Sequence, residues 1–275
     1  KRQIVMIAVY DALMARIVAA SEADCLLVGD SVAMVLHGLP STVYATLEMM
    51  CLHVAAVRRG APEMVVVADM PFMSARRGVH SAVEAAGALM QAGATAVKIE
   101  GVSGHEDVIA HLVGSGIPVM SHLGLTPQSV NQLGGYRFQG RDPAAAEVLR
   151  GEAARCEELG AFSLVLECVP AALAAAITAE RSIPTIGIGA GVGCDGQVQV
   201  FHDLFGLYGD FIPRHAKRYT DLGAQITETI RQYADDVRAH RFPDDEHSFG
   251  MKDDILRALT GDEPPKIGTD DDAAD

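Results

Sequence analysis

The sequence predicts a (β/α)8 barrel, the TIM-barrel fold, on two observations. Short apolar runs rich in Val and Ile alternate with segments of helical composition along the whole chain. Ionisable residues end several of these runs, and barrel active sites are assembled at the carboxyl ends of the strands. An open, doubly wound sheet also satisfies the alternation, but no G-x-G-x-x-G loop opens the chain. We therefore expect the closed barrel.

Seven apolar runs are predicted to be parallel strands buried on both faces. They are IVMIAVY, CLLVGDS, MVVVADM, AVKIE, IPVMSHLG, SLVLECV and PTIGIGAG. Helical segments lie between them, among them DALMARIVAASEA, TLEMMCLHVAAVRRG, SAVEAAGALMQAG, PAAAEVLRGEAARCEELG and AALAAAITAE. The eighth strand is the least clear, and we assign it to DLFGLY, residues 203–208. The alternation predicts right-handed crossovers between parallel strands.

Length and charge limit the organisation of the chain. A chain of 275 residues is long enough for one barrel, which we place at residues 1–250. The net charge of −14 argues against a nucleic-acid partner, which needs a basic surface. Part of that charge lies in residues 251–275, which we predict to be an acidic, disordered tail in which MKDDILRAL forms at most a short helix.

Cysteine usage and hydropathy bear on location. The five cysteines form no C-x-x-C pair and have no regular spacing, which is typical of reduced thiols in the cytoplasm. No segment offers 18 uninterrupted apolar residues, so we expect no membrane-spanning helix.

Three acids lie at the ends of three apolar runs: Asp30, Asp69 and Glu100. Carboxylate oxygens are the usual protein ligands of Mg²⁺, which keeps several waters and binds together with substrate oxygens. Any one of these acids can instead cap a helix or pair with a nearby cation. Because strand ends converge in a barrel, the three together favour a magnesium site.

Proton transfer and substrate binding have candidates of their own. Lys98 lies two residues before Glu100, so both side chains point to the same side of a strand, where Lys98 can bind a substrate carboxylate or pair with an acid. His122 and Glu167 are candidates for proton transfer, although His122 alone also fits a hydrogen-bonded core residue. The glycines of residues 186–193 can admit an anion or simply close the barrel. Together these residues indicate metal-assisted chemistry at an enolate or a carbon–carbon bond.

At the same residues the sequence resembles the ketopantoate hydroxymethyltransferases. The resemblance covers roughly residues 4–249, and HLGLTPQSVN followed by GGYRFQGR is its most specific part. The shared strings are LLVGDS, AAVRRGAP, VVADMPF, AVKIEG, HLGLTPQSVNQLGGYRFQGR, LVLECVP, IPTIGIGAG, CDGQV and FPDDEHSF.

The resemblance implies a reaction and an assembly. The enzyme would transfer a hydroxymethyl group from 5,10-methylenetetrahydrofolate to 3-methyl-2-oxobutanoate, giving ketopantoate (2-dehydropantoate) through a Mg²⁺-stabilised enolate. This is the first committed step toward pantothenate and coenzyme A. The barrel would be of the phosphoenolpyruvate mutase/isocitrate lyase-like type. The protein would be a cytoplasmic homo-oligomer, a homodecamer in the family.

The resemblance also assigns residue roles. It implies Glu167 as the catalytic base. It implies that the metal is bound by Asp30, Asp69 and Glu100, and the substrate by Asp30, Ser31, Asp69, Lys98 and His122.

Three departures from the family pattern concern the first strand, one loop and the chain ends. IAVYD stands where the family reads TAYD, and TVYAT at residues 42–46 replaces TLPVT and its proline, in a loop that can help cover the active site. The chain begins close to its first strand, with little of the N-terminal helix of many relatives. The acidic tail has no family counterpart that we can place.

Two alternatives remain at this point. A phosphoenolpyruvate mutase or isocitrate lyase relative shares the barrel, the magnesium and the enolate chemistry, but lacks HLGLTPQSVN. A barrel that has lost catalysis and persists as a structural or regulatory subunit fits the altered loop, but not the retention of the acids, Lys98 and Glu167.

Overall fold

The computed structural model describes residues 2–130, 139–140, 142–207 and 213–261, which form two compact units, Lys1–Thr220 and Asp221–Asp275. In the first unit, eight parallel strands form a closed barrel in sequence order. The strands of the described chain are β1 (Ile4–Ala8), β2 (Cys25–Val28), β3 (Val65–Asp69), β4 (Ala96–Glu100), β5 (Val119–Gly124), β6 (Ser163–Glu167), β7 (Thr185–Ile188) and β8 (Gly196–Val200). The predicted (β/α)8 barrel and its first seven strands are confirmed.

The predicted position of the eighth strand is wrong. Residues 203–205 belong to a helix, Phe201–Phe205, which ends at Gly206 in the left-handed conformation (φ 63°), and residue 208 lies outside the described residues. The strand that closes the barrel comes earlier. β8 pairs with β1 along its whole length, from Ile4 opposite Gly196 to Ala8 opposite Val200.

In the described chain a helix follows each strand except β7, which is followed directly by β8, and the five helical segments named from the sequence are confirmed. Side chains of Asp11, Thr46 and Asp142 cap three of these helices, each by accepting a hydrogen bond from a backbone N–H in the first turn. The α-helices in the described residues of this unit are Ala12–Ala19, Val32–Val35, Leu47–Gly60, Val79–Gln91, Glu106–Gly114, Pro143–Glu158, Ala171–Glu180 and Phe201–Phe205.

The hydrophobic core has two layers, as expected for strands that are buried on both faces. A small cluster fills the barrel interior with one or two side chains from each strand: Met6, Ala8, Leu27, Val67, Ala96, Met120, Val165, Ile186 and Val198. A larger cluster lies between the barrel and the helices. Because the interior is packed with side chains up to this layer, the carboxyl ends of the strands enclose a cavity above it.

Where the second unit is described, up to residue 261, it contains the α-helices Leu222–Arg238 and Asp253–Thr260. The predicted short helix in MKDDILRAL is therefore confirmed, and residues 262–275 lie outside the described residues. That residues 1–250 act as one catalytic domain stays a prediction. None of the helices in the described parts of the chain combines the length and apolar character needed to cross a bilayer.

Candidate active site

A cavity of about 610 Å³ opens at the carboxyl ends of the strands. All seven side chains predicted as site residues line it, although they come from five strand ends. They are Asp30, Ser31, Asp69, Lys98, Glu100, His122 and Glu167. The structure thus brings these side chains together, while their chemical roles stay predictions.

Strand register places the ionisable groups side by side. Asp69 lies opposite Lys98 across the β3–β4 pair, and Glu100 lies opposite His122 across the β4–β5 pair. Side chains alternate along a strand, so Lys98 and Glu100 share one face as predicted, and both line the cavity. At Gly124 the two strands β5 and β6 approach so closely that a Cβ would lie 2.2 Å from the Glu167 carbonyl oxygen.

Contacts link four of these side chains into a row. Lys98 Nζ lies 3.0 Å from Asp69 Oδ1 and 3.1 Å from His122 Nδ1. His122 Nε2 lies 3.2 Å from Glu167 Oε2. All but Glu167 are buried, and the Glu167 side chain is 15% exposed. The row therefore connects the acid at the end of β3 to the acid at the end of β6.

The carboxylates of the site outnumber its cations, and their pKa values reflect this. Burial, reinforced by the charges of Asp69 and Glu100, raises the pKa of Asp30 well above its usual range. Burial also raises the pKa of Asp69, although Lys98 opposes the shift. For Glu100 burial is outweighed by His122 and Lys98, which lower its pKa. Asp30 and Asp69 are thus the two acids whose charge the protein compensates least.

His122 lies between two carboxylates and a lysine. Burial and Lys98 disfavour its charged form, but Glu100, 3.6 Å from Nδ1, and Glu167 outweigh them and raise the pKa of His122 to about 9. Lys98 can donate to Nδ1 only when that nitrogen carries no proton. The charged imidazole is therefore stabilised by Glu100 and Glu167, whereas the contact with Lys98 as a donor requires the neutral imidazole.

Ser31 is held by a residue that sequence reasoning left without a role. Its hydroxyl lies 2.8 Å from the hydroxyl of Tyr10, which is fully buried. Burial raises the pKa of Tyr10, so its hydroxyl stays protonated at neutral pH. The Tyr10–Asp11 pair that the chain shares with the family pattern was the available signal.

Gln128 is the second residue that sequence reasoning missed. Its amide and its backbone N–H donate hydrogen bonds to Asp30, Met70 and Glu100. It lies within the HLGLTPQSVN string, of which residues 122–130 are described; residues 131–138 and 141 of the longer string lie outside the described residues.

The loop that departs from the family pattern keeps one residue at the cavity. Thr42–Tyr44 forms a single 3₁₀ turn, begun by a hydrogen bond from the Val43 N–H to the Ser41 hydroxyl. Thr42 is buried and lines the cavity, whereas Tyr44 is exposed. The loop therefore forms an ordered turn beside the site although it lacks the proline of the family pattern.

The glycines of residues 186–193 serve packing in this structure. A Cβ on Gly191 would lie 2.4 Å from the Ala171 side chain, and one on Gly193 would lie 2.7 Å from that of Ala175. Both contacts are with the helix Ala171–Glu180, so these glycines let the loop after β7 approach that helix closely.

No group of three or more His, Cys, Asp or Glu side chains in the described residues is arranged closely enough to enclose a metal ion. Glu100 Oε1 is nevertheless buried without a hydrogen-bond partner. The arrangement thus offers carboxylate oxygens to a shared cavity rather than a closed cage.

Solved structures similar to this one share its fold at low sequence identity. A phosphoenolpyruvate phosphomutase from Streptomyces platensis subsp. rosaceus superposes with a TM-score of 0.62 at 12% identity, covering 95% of this chain and 91% of that one. A 2,3-dimethylmalate lyase, a member of the PEP mutase/isocitrate lyase superfamily, gives 0.53 at 16% identity, covering 94% and 90%. These likenesses show the fold alone, and the fold and the cluster of acids at its strand ends therefore define an α/β barrel with an ionisable site at the carboxyl ends of its strands.

Sequence comparison then identifies the family. Residues 1–245 match the ketopantoate hydroxymethyltransferase family. The 3-methyl-2-oxobutanoate hydroxymethyltransferase of Carboxydothermus hydrogenoformans is 51% identical over 259 residues, covering 94% of each chain. That of Bdellovibrio bacteriovorus is 50% identical over 249 residues, covering 90% of this chain and 95% of the relative. The chain belongs to the ketopantoate hydroxymethyltransferase family, as its sequence motifs predicted.

Proposed function

We propose that this chain transfers a hydroxymethyl group from 5,10-methylenetetrahydrofolate to 3-methyl-2-oxobutanoate, the ketopantoate-forming step of pantothenate biosynthesis. Its family and its curated relatives support the activity. The observation that carries the chemistry is the row of contacts from Asp69 through Lys98 and His122 to Glu167, in a cavity that also receives Asp30 and Glu100. Detection of ketopantoate with and without Mg²⁺ tests the proposal.

Asp30, Asp69 and Glu100 are the residues that would hold Mg²⁺. Their oxygens are the hard donors that this ion prefers, and a protein commonly supplies it with only one or two carboxylates beside waters and substrate oxygens. The raised pKa values of Asp30 and Asp69 and the unpartnered Glu100 Oε1 fit a site that a cation would stabilise. When bound, Mg²⁺ would polarise the keto group and stabilise the negative charge that develops on its oxygen.

The keto acid is oriented by a cavity that is polar on one side and apolar on others. Ser31 and Lys98 offer a hydroxyl and an ammonium group to the substrate carboxylate. On other sides the cavity is lined by apolar side chains, including Ile188, Val198 and Val200 from the last two strands. The branched alkyl end of the substrate packs against these side chains, which leaves its C3 hydrogen open to a base.

Glu167 removes that hydrogen. Its carboxylate is partly exposed at the end of β6, and His122 Nε2 lies 3.2 Å from Oε2. The imidazole is close enough to take up or return the proton. The deprotonated C3 forms a bond to the methylene carbon of the folate, and water supplies the hydroxyl group. Both bonds from that carbon to the folate nitrogens break, and the nitrogens take up the proton from C3 and one from water, so that ketopantoate and tetrahydrofolate are released.

The cavity volume also leaves room for the second substrate. About 610 Å³ is far more than a five-carbon keto acid fills. Pro213, Arg214 and His215 line the same cavity and form part of the wall available to the folate. A homodecamer and a cytoplasmic location are supported by the family resemblance and remain part of this proposal.

A further inference from the structure

Gln128 lies in a tight turn that crosses the mouth of the barrel. Pro127–Ser129 forms one 3₁₀ turn, in which the Ser129 N–H donates to the Thr126 carbonyl oxygen at 2.8 Å. Just before it, the Leu125 N–H donates to the Glu167 carbonyl oxygen at 2.8 Å, which ties the turn to the end of β6. The turn thus follows β5 in the chain, is tied to the end of β6, and places Gln128 near the ends of β2, β3 and β4.

The Gln128 side chain contacts two acceptors at once. Its Nε2 lies 2.8 Å from Asp30 Oδ2 and 3.0 Å from the Met70 carbonyl oxygen. Because both neighbours are acceptors, only the nitrogen of the amide can face them, and both of its hydrogens are used. Asp30 is buried and lies 98 residues away in sequence. The contact is therefore made by the tertiary fold and not between residues that are close in the sequence.

The backbone of the same residue holds a second acid. The Gln128 N–H donates to Glu100 Oε2 at 3.0 Å, while Oε1 of that carboxylate has no hydrogen-bond partner. One oxygen of Asp30 and one of Glu100 are thus fixed by the same residue. Fixing one oxygen of a carboxylate sets the direction in which the other one points.

We propose that Gln128 is a positioning residue that holds Asp30 and Glu100 in the orientation in which they receive a divalent cation. The inference rests on the proposed metal role of these acids. Gln128 suits this task because its amide is neutral. A lysine or arginine in its place would orient the carboxylates but cancel the charge that attracts the cation, whereas an amide orients them and leaves that charge intact.

A purely structural role for Gln128, as an anchor of the turn, predicts a different behaviour. It would lower the melting temperature of the metal-free protein and leave the cation affinity of the folded protein unchanged. A positioning role weakens cation binding by the folded protein, and losing a group that orients a ligand typically lowers metal affinity ~10–100-fold. Cation affinity and apo stability therefore separate the two roles.

The experiment is a titration of the full chain with Mg²⁺ by calorimetry, repeated with Mn²⁺ by electron paramagnetic resonance. Gln128→Met keeps the length of the side chain and the backbone N–H but removes both amide donors. Ser129→Ala, on the same turn, is the matched control. Asp69→Ala removes a proposed ligand and reports whether the measured binding occurs at this site.

The expected result is wild-type affinity for Ser129→Ala, no binding for Asp69→Ala, and binding ~10–100-fold weaker for Gln128→Met, measured at a temperature at which every variant is folded. Should Gln128→Met fold poorly, Gln128→Asn, which is one methylene too short to span both acceptors, is measured instead and is expected to show the same loss. Wild-type affinity in a folded Gln128 variant overturns the inference while the metal site stands. Absence of binding in the wild-type protein overturns the metal site itself, and the inference with it.

Discussion

Replacing Glu167 by Gln isolates the proton-transfer step. Gln has nearly the same volume and keeps an oxygen or nitrogen at the position of Oε2, which lies 3.2 Å from His122 Nε2. The side chain is mostly buried, at 15% exposed, and the close approach at Gly124 fixes the backbone beside it. The substitution should therefore preserve the shape of the cavity and remove only the capacity to accept a proton.

The expected loss of activity follows from the loss of the general base. A positioned general base contributes ~10²–10⁴-fold, so kcat should fall by that factor, which corresponds to about 2.7–5.5 kcal/mol of activation free energy. KM for the keto acid should change little, because no group proposed to bind its carboxylate is altered. Affinity for Mg²⁺ should also be retained.

The assay follows the C3 hydrogen directly. The protein is incubated with 3-methyl-2-oxobutanoate and Mg²⁺ in D₂O without folate, and the loss of the C3 proton signal is followed by NMR. Glu63→Gln, an exposed substitution of the same chemistry, is the control. Exchange by Glu167→Gln at the wild-type rate would refute the assignment of this carboxylate as the base.

Three further substitutions test separate parts of the account. Lys98→Met should raise KM for the keto acid ~10–100-fold, the value of a hydrogen bond to a charged group, as measured by steady-state kinetics. Gly124→Ala should lower the free energy of unfolding in urea by more than about 1–3 kcal/mol, because φ is 95° and the new Cβ would meet the Glu167 carbonyl oxygen at 2.2 Å. Glu157 accepts hydrogen bonds from the Ser182 hydroxyl and from the Ser182 N–H, and both lower its pKa. Glu157→Gln should therefore destabilise the protein by ~1 kcal/mol at pH 7.

The pH dependence of the last variant has a definite sign. Because the folded-state pKa of Glu157 is lowered, its contribution is present above the unfolded-state pKa and is lost as pH falls through the folded-state value. The gap in stability between wild type and Glu157→Gln should therefore narrow below ~pH 4. The side chain is 24% exposed, so solvent screening keeps the effect small. A gap that widens on acidification would contradict this role.

Matched controls separate these effects from general damage. Gly151→Ala, in the helix Pro143–Glu158 with open space around the new Cβ, should leave the protein as stable or more stable. Glu158→Gln changes an exposed ion pair and should leave stability unchanged at every pH. Equal destabilisation by the two glycine substitutions would show that the close approach at Gly124 is not the cause.

Much of the barrel could be predicted because its strands are buried on both faces. Runs such as VVVAD and SLVLE carry apolar residues at nearly every position and end in an acid. Both the strand and the site residue can therefore be predicted from the sequence. β8 was not predicted because its sequence is not a continuous apolar run. Gly196–Val200 reads GQVQV, with polar Gln197 and Gln199 at alternate positions, while the more apolar DLFGLY begins in a helix.

The site was predictable where strand register alone assembles it. The pairing of Asp69 with Lys98 and of Glu100 with His122 follows from parallel neighbours of known order. Gln128 could not be predicted, because its contact with Asp30 spans 98 residues and depends on the path of a turn.

Formation of ketopantoate tests the central claim most directly. Purified protein, freed of metal with a chelator, is given 3-methyl-2-oxobutanoate and 5,10-methylenetetrahydrofolate, and the product is measured by mass spectrometry with and without added Mg²⁺. The account predicts ketopantoate only when the metal is present. Product formed equally well without metal would contradict the role of Asp30, Asp69 and Glu100. No product from a folded protein that also fails to bind Mg²⁺ would contradict the activity and favour a barrel that has lost catalysis.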